Sequence, residues 1–145
     1  MALAPTIHAS AVLVGATALL IRGPSGSGKS RLALNLIQSG RLPFARLVAD
    51  DRCHVEAHGG RLLVRPASEL AGLIEVRGLG IRRLPYEPLA VVGLVADLGQ
   101  TAERLPDPSQ TTQIAGISVL RLALPGQIDV AGAILAAIQT PASSI

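Results

Sequence analysis

Aromatic side chains are nearly missing from this chain. It holds no Trp, one Phe (Phe44) and one Tyr (Tyr86) among 145 residues, so its core has to be aliphatic. The same scarcity removes the stacking platforms on which single-stranded nucleic acid is usually held. Cysteine is almost as rare: Cys53 stands alone, which excludes an internal disulfide and suits a reducing cytoplasm. Lysine occurs once, as Lys29, beside twelve arginines. Those arginines are scattered from Arg22 to Arg121, with only Arg82 and Arg83 adjacent, so the formal charge of +3 is not gathered into a nucleic-acid-binding stripe. The longest apolar run, "ASAVLVGATALLI" over residues 9–21, is shorter than the ~20 residues a membrane span needs. It has no charged n-region and runs straight into a glycine loop, unlike a signal peptide. The absences point to a soluble cytoplasmic domain whose partners are neither nucleic acid nor membrane.

What is present suits one domain over residues 1–145, with 49% hydrophobic residues to build its core. No internal repeat or low-complexity stretch interrupts it. "AVLV" and "ALLI", on either side of Gly15-Ala16-Thr17, read as two strands around a turn. After the glycine loop, Leu32, Ala33, Leu34, Leu36 and Ile37 make an apolar helix that stops at Gly40. "ARLVADD" reads as a buried strand ending in charge, and "CHVEAHGGRLLVRP" as a hairpin turning at Gly59-Gly60. "LAVVGLVADL" and "ISVLRLAL" are further strands, and "IDVAGAILAAI" is a closing helix. The expected fold is α/β, a P-loop-containing mixed sheet with flanking helices.

Residues 23–30, "GPSGSGKS", fit the pattern G-x-x-x-x-G-K-[ST], which arises by chance in about one chain in 200 of this length. Gly23, Gly26 and Gly28 let backbone N–H groups turn inward where side chains would block a phosphate. Pro24, Ser25 and Ser27 complete the cradle, and the following helix adds its unpaired N–H groups and dipole. Lys29 is placed to reach the β- and γ-phosphates of a nucleotide, and the Ser30 hydroxyl to ligate Mg²⁺. A composition that elsewhere uses Arg for every cation keeps Lys here, because a compact ammonium fits between phosphates where a planar guanidinium does not.

Asp50 and Asp51 end the "ARLVADD" strand. One carboxylate can hold Mg²⁺ and a neighbour can accept a proton from an attacking hydroxyl. Adjacent residues of a strand point to opposite faces, so the two are expected to have separate roles. In "IEVRGLGIRR", residues 74–83, Glu75 precedes a glycine-bracketed turn that would let backbone approach a ligand. The alternation in "CHVEAH" puts His54, Glu56 and His58 on one strand face, a trio that suits Zn²⁺ and equally suits the polar face of an exposed hairpin.

"GPSGSGKS", "LVADD" and "EVRGLGI", in that order, resemble the catalytic domain of the bacterial HPr kinase/phosphorylase family. His8 lies 21 residues before Lys29, as the upstream His of that family does. The resemblance runs from His8 to the final helix and implies the fold shared with phosphoenolpyruvate carboxykinase-like proteins. It implies that the loop binds ATP, that Lys29 is catalytic, and that Mg²⁺ is held by Ser30 and Glu75, with Asp50 beside them. Asp51 would take the proton from the target serine of HPr. His8 would stand near Asp51, and Arg104, in "AERLPD", would be the active-site Arg. Residues 74–83 would form part of the reaction centre. The resemblance also implies homo-oligomers, namely hexamers.

Three departures from the family pattern qualify what is implied, one being that the stretch between "GLGI" and the next strand is shorter than the resemblance leads one to expect. The chain reads as a short form without the family's separate N-terminal domain. The family's late "VRPGR"-like loop stands here as "ALPGQ", Ala123–Gln127, without either Arg, so the reverse phosphorolysis should be weakened while the kinase reaction is kept. Two other classes stay open: a small-metabolite P-loop kinase, and a non-catalytic module that senses nucleotide.

Overall fold

In a computed structural model, residues 5–100, 110–125 and 129–139 are described. The apolar run opens the fold as a hairpin, β1 (Thr6–Val14) and β2 (Thr17–Arg22). Thr17, expected in the turn, already pairs with Val14 as the first residue of β2. The glycine loop follows, then α1 (Lys29–Gln38), β3 (Ala45–Ala49), β4 (Arg52–His58) and β5 (Arg61–Pro66). Next come the short β6 (Leu73–Val76) and β7 (Gly80–Arg83), the long β8 (Ala90–Gln100), β9 (Thr111–Ile114), β10 (Ile117–Pro125) and α2 (Val130–Gln139).

Among the described residues, eight strands form one sheet and β6–β7 form a second of two strands. β2 pairs with β8 and β8 with β10 in parallel, whereas the other pairs are antiparallel. The sheet is therefore mixed, as expected. Its order was not legible locally, because β1 is shared along its length. Residues 6–8 pair with β4, and 11–14 pair with β3 on the same edge. β4 pairs with β5, β5 with β8, β8 with β2 and β2 with β1, so the pairings close into a ring.

That ring explains why the opening strands read as continuous apolar runs: both faces of each are buried. On β2, Ala18 and Leu20 pack inside the ring with Cys53, Val55, Leu62, Val64 and Val95. Leu19 and Ile21 point the other way and pack with Leu32, Ala33 and Leu36 of α1 and Ile134 and Leu135 of α2. Both helices thus lie on one face of the sheet. Parallel β2, β8 and β10 all end at the same edge, and the glycine loop springs from there.

Cys53 is fully buried in the ring, and burial pushes its thiol up to about 12. A thiol that stays protonated and covered does not attack disulfides. Ellman's reagent at pH 8 is expected to leave the folded protein unlabelled and to label one thiol per chain once guanidinium unfolds it. Fast labelling of the native protein would mean that β4 opens readily.

Candidate active site

The loop between β2 and α1 is shaped by glycines where side chains would be strained. Gly26 and Gly28 have φ of 83° and 98°, in the left-handed region that L-residues avoid. Gly28 also caps α1, with no side-chain hydrogen bond there. The first intrahelical bond runs from the Leu32 N–H to the Gly28 carbonyl at 2.9 Å. The N–H groups ahead of it have no helical carbonyl to bond and, with the helix dipole, favour an anion.

Lys29 is only 7% exposed. Its Nζ folds back over the loop and donates to the carbonyls of Gly23 at 2.9 Å and Pro24 at 3.2 Å. One of its three protons remains for a ligand. The ammonium is thus held at the loop by two backbone carbonyls.

The acidic pair corrects one expectation. β3 ends at Ala49, and Asp50 and Asp51 sit in the bend that turns the chain into β4, with Asp51 at φ 67°. They diverge because the backbone reverses there, not because a strand alternates. Asp50 is 7% exposed. Its Oδ1 accepts from the Ser30 hydroxyl at 2.6 Å and the Ser10 hydroxyl at 2.9 Å, and its Oδ2 from the Glu75 backbone N–H at 3.2 Å. Asp51 is open, its side chain 58% exposed, with His8 Nδ1 at 3.5 Å from its Oδ1. Its own N–H donates to Ser10 Oγ at 3.1 Å.

Ser10, fully buried, therefore ties both acidic residues to β1. Sequence reading passed over it. The available signal was a lone hydroxyl inside an otherwise apolar strand, a group that burial obliges to find partners.

A cavity of about 500 Å³ gathers these parts: Gly26, Lys29, Ser30, Asp51, Glu75 and Arg77 all line it. Asp50 lies beneath, joined to the wall through Ser30. His8 borders Asp51. Gly23 and Pro24 sit behind the loop as acceptors for Lys29, and Ser27 lines a neighbouring cavity. Arg104 lies outside the described residues, as do Gly126 and Gln127 of the "ALPGQ" stretch.

The oxygens of Ser30, Asp50 and Glu75 suit a hard divalent cation such as Mg²⁺. No group of three His, Cys, Asp or Glu positioned to hold a metal occurs among the described residues. In the "CHVEAH" hairpin, Glu56 pairs with Arg65 at 2.7 Å.

Beneath the loop lies a second polar cluster that sequence reading missed. Asp97, 7% exposed, sits at the parallel edge. Arg22, the residue before Gly23, donates to both its oxygens at 2.8 Å, and Arg121 on β10 donates to Oδ2 as well. One carboxylate thereby links the ends of β2, β8 and β10.

Among the described residues, no helix is long and apolar enough to cross a membrane. A family model described as the HPr Serine kinase C-terminal domain matches residues 1–84. The HPr kinase/phosphorylase of Streptococcus gordonii is 31% identical over 137 residues, covering 83% of this chain and 42% of the relative. That of Limosilactobacillus reuteri is 33% identical over 135 residues, covering 83% and 40%. The chain thus spans about two fifths of the length of these curated relatives. Among solved structures, the Hpr(Ser) kinase/phosphatase from Coxiella burnetii superposes with a TM-score of 0.79 at 26% identity, covering 93% of this chain and 94% of that one. The order of the three phrases, the site they assemble and these matches agree: the chain belongs to the HPr serine kinase C-terminal domain family.

Proposed function

We propose that this domain transfers the terminal phosphoryl group of ATP to a serine hydroxyl of the phosphocarrier protein HPr, in the cytoplasm and as a hexamer. The observation that carries the reading is the single cavity in which the glycine loop and Lys29 face Asp51 and Glu75.

The N–H groups of the loop and of the first turn of α1 bind the phosphates. Lys29 offsets the charge that develops on the transferring group, where fixed donors in a water-poor site are most effective. Ser30, Asp50 and Glu75 would hold Mg²⁺, which when bound supplies further charge compensation between phosphate oxygens. Asp51, its carboxylate exposed at the cavity wall with His8 as its side-chain neighbour, accepts the serine proton, a role worth about 10²–10⁴-fold. His8 steadies that carboxylate from the opposite side.

A protein acceptor is supported by the β6–β7 hairpin. Its tip exposes Leu79 (63%) and Ile81 (62%) beside cavity residues Glu75 and Arg77. Large apolar side chains grouped at the mouth of a site favour a macromolecular partner over a small polar metabolite.

Incubation with ATP, Mg²⁺ and HPr is expected to add one phosphate to a serine, read by mass. The reverse release of pyrophosphate from phosphorylated HPr and inorganic phosphate is expected to be slow, because Leu124 and Gln127 stand where the family pattern has cations. ATP binding without transfer to any protein would instead identify a sensing module. Transfer to a metabolite alone would identify a small-molecule kinase.

A further inference from the structure

β1 changes partners in mid-strand. Its residues 6–8 pair with β4 and residues 11–14 with β3, so Ala9 and Ser10 lie between the two ladders, opposite the bend at Asp50 and Asp51. Backbone N–H groups at such a gap have no ladder partner, and they must be paired some other way. The Ala9 N–H donates to the Asp51 carbonyl at 3.1 Å. The Asp51 N–H donates to a side chain, the Ser10 hydroxyl, at 3.1 Å.

Strand alternation puts that hydroxyl within reach. Ala9 and Ala11 pack inside the ring, whereas Val12 packs with Leu32 and Leu36 of α1, so Ser10 points to the face that α1 covers. It is fully buried. Its one proton goes to Asp50 Oδ1 at 2.9 Å, and its oxygen accepts from Asp51.

The two carboxylates do not depend on Ser10 equally. Without it, Asp50 keeps two donors, the Ser30 hydroxyl at 2.6 Å and the Glu75 N–H at 3.2 Å. Asp51 is held by less. Its φ of 67° lies in a region that strains an L-residue. Its contact with His8, 3.5 Å between side chains 61% and 58% exposed, is too long and too wet to fix a backbone. Beyond the Ala9 bond to its carbonyl, the strained residue is tied down by Ser10.

We infer that Ser10 is a positioning residue for phosphoryl transfer, its hydroxyl holding Asp51 in the left-handed conformation that presents the carboxylate to the cavity. This rests on Asp51 being the base proposed above. Freed of the hydroxyl, the bend relaxes and carries the carboxylate off its line to the acceptor, where a misplacement of about 1 Å costs up to about 10²-fold.

The test is a double-mutant cycle on the full chain with ATP, Mg²⁺ and HPr. Ser10→Ala is expected to lower kcat by about tenfold or more. Its dissociation constant for ATP with Mg²⁺, from calorimetry, is expected to stay within about twofold, at a stoichiometry of about one per chain. A residue that only stabilised the fold would lower the stoichiometry and leave kcat per folded molecule unchanged. Adding Ser10→Ala to Asp51→Asn is expected to slow transfer by less than about twofold more, because the group being positioned has already lost its function. Should Ser10→Ala fail to fold, Ser10→Cys, with only a weak donor and acceptor in place of the hydroxyl, must show the same split. A wild-type kcat in the Ser10 variant, while Asp51→Asn is slow, overturns the positioning role alone. Losses that multiply in the double variant also overturn it, as does an ATP affinity lowered by about tenfold, which would move the role of Ser10 to Asp50. Asp51→Asn transferring at the wild-type rate overturns the base reading and the role of Ser10 with it.

Discussion

Asp51→Asn is expected to lower phosphoryl transfer to HPr by about 10²–10⁴-fold, the usual worth of a positioned base, while ATP affinity stays within about twofold. The replacement keeps the shape and one acceptor oxygen and removes only the ability to take a proton. It also suits the backbone. Asp51 sits at φ 67°, a region that Asn tolerates, whereas Ala would add strain of roughly 1–2 kcal/mol and blur the result. The metal-facing part of the site is undisturbed, because Ser30, Ser10 and the Glu75 N–H all bond to Asp50 and not to Asp51. The backbone bond from Asp51 N–H to Ser10 survives as well. Steady-state kinetics should show a lower kcat with little change in the KM for ATP, the pattern of an interaction made only in the transition state. Transfer at the wild-type rate would remove Asp51 from the role of base and leave its pairing with His8 as structural.

Asp97→Ala is expected to cost about 3–5 kcal/mol of stability, the usual consequence of removing one member of a buried charge network. A domain has about 5–15 kcal/mol to lose. The loss arises because two guanidinium groups, Arg22 and Arg121, would be left at a covered sheet edge without their shared acceptor. Urea unfolding gives the number, and a loss below about 1 kcal/mol would mean that water solvates both arginines in the native state.

Acid supplies an independent check. Burial pushes the Asp97 carboxyl up, but the hydrogen bonds and charges of Arg22 and Arg121 outweigh it and hold the group below the ordinary value of 3.8. A folded-state value below the unfolded one means that the unfolded chain binds the proton more readily. The contribution of Asp97 is therefore complete above about pH 3.8 and is lost as pH falls through the lower folded value. Wild-type stability should fall in that window more steeply than that of Asp97→Ala. Equal slopes would show that Asp97 is not the group titrating there.

The link to function runs through Arg22, the last residue of β2. The residue after it begins the glycine loop, and its guanidinium is clasped by a carboxylate from β8. The loop therefore starts from a fixed point on the sheet.

The glycine loop, the helix behind it, the hairpin at Gly59-Gly60 and the closing helix could all be read along the chain. Each is written in local terms: left-handed glycines, a lysine before a serine, and apolar residues at the spacing of one helix face. The three phrases that carry the family resemblance were legible for the same reason, as each is a contiguous stretch that brings residues to one cavity. What the local pattern could not decide is who meets whom across the sheet. Ser10 and Asp50 are joined by one hydrogen bond although 40 positions separate them, and Arg22 reaches Asp97 across 75. Nothing in the residues beside either end announces the other. The short β6–β7 pair and β9 escaped for a related reason, because a four-residue strand carries too few alternations to stand out from a turn. Local chemistry determined which parts this protein has. Only the closing of β1, β4, β5, β8 and β2 into a ring decided that a hydroxyl from the first strand, a carboxylate from the bend after the third and a backbone N–H from the sixth would share one point, since pairing distant strands is a property of the whole chain's packing and not of any stretch within it.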